Sequence, residues 1–130
     1  MLRIRDAQLH ALDAVNDDKR AAAIVEQLYV EHPGRVVGQE REQVRRRVAV
    51  ALHRARAHGL HDDRDLRAFG LLSVVVSARF DAHPPFQRLL ADPAVPARGK
   101  MARLFQGATD ADWQAAAALT SRSDSSHDVP

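Results

Sequence analysis

His53, His58 and His61, with Asp62 and Asp63 directly behind them, are the densest grouping of metal-ligating residue types in the chain. A helical metal site places two ligands at i and i+3 or i+4 on one face, as in HExxH, and draws further donors from elsewhere. His58 and His61 have that separation, but Gly59 falls between them and interrupts the helix they would have to share. No carboxylate repeats the arrangement elsewhere, so these histidines are read as surface or capping residues and no metal is expected. Nucleophilic catalysis has less material still. Ser73 and Ser77 stand i, i+4 on an apolar stretch without a GxSxG elbow, and a hydroxyl in that setting ordinarily bonds back to the preceding turn. The glycines are scattered, with neither GxGxxG nor GxxxxGK to cradle a phosphate. Asp62 and Asp65 look like helix N-terminal charges rather than an acid/base couple. No catalytic residue and no cofactor is expected, and the chain reads as a non-enzyme.

Charge is the chemistry that remains. Between Arg35 and Arg56 there are seven arginines against only Glu40 and Glu42. Such a segment suits phosphates or an acidic partner, and Arg41, Arg45, Arg46 and Arg54 are the candidate contacts. The plainer reading is a solvated helix face with local ion pairs. Trp113, which follows the acidic turn Asp110-Ala111-Asp112, is the candidate apolar anchor, since Trp and Arg are enriched in binding hot spots. A helix-turn-helix is the best nucleic-acid option, but the helix that would enter the groove begins Asp63-Arg64-Asp65, setting two carboxylates against phosphates. Nucleic acid is therefore a disfavoured partner.

The elements that must position these residues repeat at helical spacing. One long helix is expected from about Asp6 to Glu31, with Leu9, Leu12 and Val15 followed by Ala21, Ile24, Val25 and Leu28, ending at His32-Pro33-Gly34. A second runs from about Gln39 to His58 and buries Val44, Val48, Ala51, Leu52 and Ala55, with Gly59 as a left-handed cap. The third, from Asp63 to Arg79, is apolar nearly all round. Its main face is Leu66, Phe69, Leu72, Ser73, Val76 and Phe80, and Gly70 and Ser73 fill a tight place in the core. A short helix follows over Phe86 to Leu90, then another over Ala97 to Gly107, continued from a Thr109 or Asp110 cap through Trp113 to Leu119. The fold class is thus all-α: a single compact bundle of about four to five helices over 1–119, with a disordered polar tail at 120–130.

Composition bounds the rest. The 130 residues suit one domain, and 45% apolar with 28% charged residues is ordinary for a globular protein. The longest apolar run, around Val74-Val75-Val76, is far too short to span a membrane. Cysteine is absent, which removes disulfides and thiolate sites. The start Met1-Leu2-Arg3-Ile4-Arg5 leads straight into polar sequence, so no secretory leader is expected and a cytoplasmic setting is.

Four segments in order carry a resemblance. They are Arg3-Ile4-Arg5 with Gln8-Leu9-His10-Ala11-Leu12; His53-Arg54-Ala55-Arg56-Ala57-His58-Gly59-Leu60; Asp65-Leu66-Arg67-Ala68-Phe69 with Arg79-Phe80-Asp81; and Leu89-Leu90-Ala91-Asp92-Pro93 with Lys100-Met101-Ala102-Arg103-Leu104-Phe105. Spanning about residues 3 to 119, the pattern resembles small helical proteins of unassigned function encoded in bacterial type VI secretion effector clusters, beside spike-tip and toxin genes. The chain departs from it where Ser77-Ala78-Arg79 replaces a Gly-Pro before the Phe-Asp pair. The resemblance implies a protein-binding accessory of a secreted effector, toxin or spike protein, acting as effector chaperone or adaptor. The alternatives are an immunity protein that neutralises a neighbouring toxin, and a nucleic-acid-associated domain using the Arg-rich helix 41–56. It carries over no catalytic residues and leaves the oligomeric state open.

Overall fold

The computed structural model describes the backbone of residues 2–128 and the side chains of residues 15–119. Six α-helices and two 3-10 turns make up the described residues, and no strand occurs among them. The helices are α1 Leu2–Glu31, α2 Arg41–Ala57, α3 Asp63–Val75, α4 Pro84–Ala91, α5 Ala97–Gly107 and α6 Asp110–Asp128. The turns are η1 Pro33–Arg35 and η2 Phe80–Ala82. The all-α bundle is as the periodicity predicts, with one helix more. The extra element comes from a break at Ala108-Thr109, where Thr109 starts a new helix. Its Oγ1 accepts from the Asp112 amide at 3.1 Å, and Asp112 Oδ2 accepts from the Thr109 amide at 3.0 Å. This reciprocal capping box satisfies two donors that a continuous helix would not expose.

Three helices form the main core. Ala21, Ile24, Val25 and Leu28 of α1 are buried, at i, i+3, i+4 and i+7. They face Val44, Val48, Ala51, Leu52 and Ala55, the buried set of α2. Leu66, Phe69 and Val74 of α3 complete the core. Gly70 sets the distance of approach. A Cβ built there would lie 2.8 Å from Ile24 Cδ1, 3.4 Å from Val48 Cγ1 and 3.5 Å from Leu52 Cδ2, so both α1 and α2 close over the missing side chain. α1 is one continuous helix through Asn16. Val15, expected on its apolar face, is 52% exposed. Asp17 faces the last turn of α2, so Val15, two residues earlier on the same helix, falls on the opposite side, away from the buried stripe. Leu9 and Leu12 lie outside the described side chains.

α2 ends in a Schellman motif. Gly59 takes φ +90°, its amide donates to Arg56 O at 2.9 Å, and the Leu60 amide reaches Ala55 O at 3.1 Å while the Leu60 side chain is fully buried. The three carboxylates expected at the start of α3 divide. Asp63 takes ion pairs from Arg20 and Arg67, both at 2.8 Å. Asp65 turns inward, its Oδ2 buried without a partner, and burial together with Asp62 pushes its carboxyl above the usual value.

α3 stops at Val75 rather than at Arg79. The run Val74-Val75-Val76 is β-branched and weakly helical, and the exit is fixed from outside. Ser77 Oγ donates to Ala116 O of α6 at 2.7 Å, instead of bonding back to its own helix as expected. Ser73 does bond back, to Gly70 O at 2.6 Å. The turn delivers Phe80 on η2 rather than on α3, and its ring still packs on Phe69 with centroids 4.7 Å apart. The polar tail expected at 120–130 falls where side chains lie outside the described residues; the backbone there is helical to Asp128. No helix among the described residues is long and apolar enough to cross a membrane.

Candidate functional site

Arg41, Arg45 and Arg56 of α2 turn toward α1. Arg41 pairs with Glu26 and lies over the Tyr29 ring, 4.4 Å from its centroid. Arg45 pairs with Asp18 and, at 2.9 Å, with Glu42. Arg56 grips Asp17 with Nε at 2.6 Å and Nη2 at 2.9 Å. Arg20 also pairs with Asp17 and carries the network on to Asp63. Burial alone would raise the Asp17 carboxyl, but Arg56 and Arg20 outweigh it and hold the group below its ordinary value. Of the arginines singled out in the sequence, Arg46 is the most exposed, with 76% of its side chain open and Glu42 no nearer than 3.7 Å. Arg54 is turned the other way, into a cleft, where it pairs with Asp81 and donates to Ala78 O. The basic segment is therefore largely paired within the fold, and at the start of α3 Asp63 and Arg64 are exposed while Asp65 and Leu66 are buried.

His53 and His61 are exposed, and no three His, Asp or Glu side chains gather as ion ligands among the described residues. His58 is half-buried instead, its Nε2 3.0 Å from Asp81 Oδ2 and its ring 5.9 Å from Phe69. Burial, with the charges of Arg54 and Lys100, keeps its imidazole below the usual histidine value.

At the other end of the bundle α4, α5 and the start of α6 enclose an open groove of about 570 Å³. Buried Phe86 and Leu104 and the half-buried Leu89 and Ala108 supply apolar lining, with Arg103 and Asp112 as charged edges. Pro84 and Pro85 open α4 at the positions where missing amides cost least, which directs Phe86 and Leu90 inward. Trp113 packs on Phe86 with centroids 5.0 Å apart and on Phe105 at 5.9 Å. Phe105 remains 49% exposed. His83 steadies this end, with Nε2 3.0 Å from Asp112 Oδ1 and its ring edge-on to Phe86 at 4.9 Å. The Thr109 amide, then His83, hold the Asp112 carboxyl below its ordinary value.

The structure does not gather the five sequence candidates on one surface. Trp113 alone stands beside the groove, while Arg54 faces a separate cleft with Asp81 and His58. Sequence reading missed Asp81, His83 and Lys100. Lys100 is buried and donates from Nζ to Leu90 O at 2.6 Å and to His58 O at 3.1 Å, tying α5 to the ends of α4 and α2. A single lysine among basic helical residues has no pattern of its own; its partners lie 10 and 42 residues away. Comparison with family models, with curated proteins and with solved structures finds no match to the chain.

Proposed function

We propose that the chain is a non-enzymatic, cytoplasmic protein-binding accessory of a type VI secretion effector cluster, acting as an effector chaperone or adaptor. In this reading the groove between α4, α5 and α6 receives an apolar helical segment of the secreted effector or its spike protein. The observation that carries the reading is Phe105, half-exposed against Trp113 beside a groove lined by Phe86, Leu89 and Leu104. Exposed aromatic surface next to a preformed apolar concavity is the composition of a helix-in-groove site. Arg103 and Asp112 at the edges supply one charge of each sign to set the direction of the bound segment. The family resemblance gives the reading its setting.

The immunity and nucleic-acid alternatives both call on the Arg-rich helix, and there the intramolecular pairs weigh against them. Arg41, Arg45 and Arg56 would have to exchange Glu26, Asp18 and Asp17 for a partner's groups. The test is co-purification with the effector encoded beside it. Wild type and Arg46→Glu are expected to retain the effector, and Leu89→Glu and Phe105→Glu to lose it while staying folded by circular dichroism. Retention by both groove variants would overturn the groove. If the complex depended on Arg46 and silenced the toxin's activity, the immunity reading would replace the adaptor. Salt-dependent binding to duplex DNA, lost with Arg46→Glu, would favour the nucleic-acid reading.

A further inference from the structure

We propose that the cleft between α2, the Ser77–Arg79 turn and η2 is a binding site for a small organic oxyanion, whose phosphate or carboxylate group sits between Arg54 and Arg79. The site is separate from the protein-binding groove and does not depend on it. The cleft measures about 490 Å³ and is lined by Val50 and Arg54 of α2 and by His58 just past its end, with Arg79, Asp81 and Gln87 completing the lining. A smaller pocket of about 150 Å³ shares Val50 and Arg54 with it and brings in Arg47. Arg54 and Arg79 thus line the cleft and Arg47 the neighbouring pocket, against Asp81 as the single carboxylate in either lining. Lys100 stands behind the His58 carbonyl and adds a further positive charge.

The arginines here differ from those along α1. Arg54 is fixed at both ends of its fork, by Asp81 and by Ala78 O, so its plane is set before any ligand arrives. Arg79 is exposed and meets no carboxylate among the described residues. Arg47 bonds a neutral group, Gln39 Oε1, at 2.7 Å. Burial and the nearby charge of Arg79 both hold the Arg54 guanidinium below the usual arginine value, which is the imbalance an oxyanion would relieve. Guanidinium forks match carboxylate and phosphate oxygens two at a time, and in a recessed site such bonds exceed those to neutral acceptors. Gln87 offers an amide from α4, and Val50, 61% exposed, offers an apolar wall. The charged head with an apolar wall beside it selects an organic acid or phosphate monoester over a bare inorganic ion.

The test is calorimetric titration and thermal unfolding of the full chain with inorganic phosphate, phenyl phosphate and benzoate, against sodium chloride at matched ionic strength. Saturable binding is expected for phenyl phosphate or benzoate, with inorganic phosphate weaker. Arg79→Ala should weaken it about tenfold, the loss of one charge-assisted contact, with an unchanged circular dichroism spectrum. Val50→Asp should abolish the preference for the aromatic ligands. The strongest of the three ligands distinguishes phosphate from carboxylate. Arg79→Gln serves as the second variant if the alanine protein does not fold. Shifts that follow ionic strength alone, or saturable binding that survives both Arg79 substitutions, would overturn the site.

Discussion

The α1–α3 half of the molecule and its α4–α6 end use the same residue types for opposite ends. In the first, arginines meet carboxylates across helices, from Arg41–Glu26 through Arg45–Asp18 to Arg56–Asp17, and the aromatic ring of Phe69 is fully covered. In the second, the aromatic cluster Phe86–Trp113–Phe105 is sealed on one side only, and the groove beside it stays open. The difference teaches that basic composition by itself locates no open surface. Within one arginine-rich segment, Arg41, Arg45 and Arg56 are paired across to α1, while Arg47 and Arg54 line a cleft on the other side. The open apolar concavity lies instead among the short helices α4 and α5 and the start of α6.

The sharpest way to break this contrast is to truncate one aromatic in each half. Phe69→Ala should cost about 3–5 kcal/mol in chemical denaturation, because it removes a fully buried ring and leaves a cavity. Phe105→Ala, half in solvent, should cost under about 1 kcal/mol while weakening the effector binding proposed above. Equal losses of stability would mean that the α4–α6 end is as closed as the core.

The seam between the halves is the next place to look. Lys100→Met keeps the stem of the side chain but strips the donor from Leu90 O and His58 O, and should cost about 2 kcal/mol. A neutral result would show that water serves those carbonyls and that the lysine does not join α5 to α2 and α4.

A smaller effect is expected on acidification. His58 has a lowered pKa in the folded state, so the unfolded chain takes up its proton first as pH falls below the ordinary histidine value of 6.5. Stability from this group is therefore intact above that pH and declines below it, until the folded imidazole also protonates. His58→Gln should flatten that part of the stability-versus-pH curve; an unchanged slope would place the acid sensitivity elsewhere.

The smallest effect belongs to Arg46→Ala, expected within about 0.5 kcal/mol of wild type, since an exposed pair 3.7 Å apart contributes little. Arg56→Ala should cost more, because its two bonds to Asp17 are partly shielded from solvent. Reversal of that order would undo the view that this face is an internal lattice.

Much of the fold was legible because its signals are local. The α2 stripe from Val44 to Ala55, the left-handed Gly59 and the Ala97–Gly107 helix follow from spacing and capping within a few residues. The end of α3 was not, because Ser77 is held by Ala116, 39 residues on. Nor was the candidate site legible. Trp113 could be marked as an anchor by type, but a groove is a space between α4, α5 and α6 and belongs to no single segment. By itself the sequence determined an all-α chain, where most helices begin and end, and which faces of α1 to α3 are apolar, since hydrogen bonding and side-chain periodicity act over one or two turns. Tertiary structure alone decided which arginines are satisfied, where Lys100 and Asp81 are buried and which concavities remain, because each depends on groups brought together through space from distant positions.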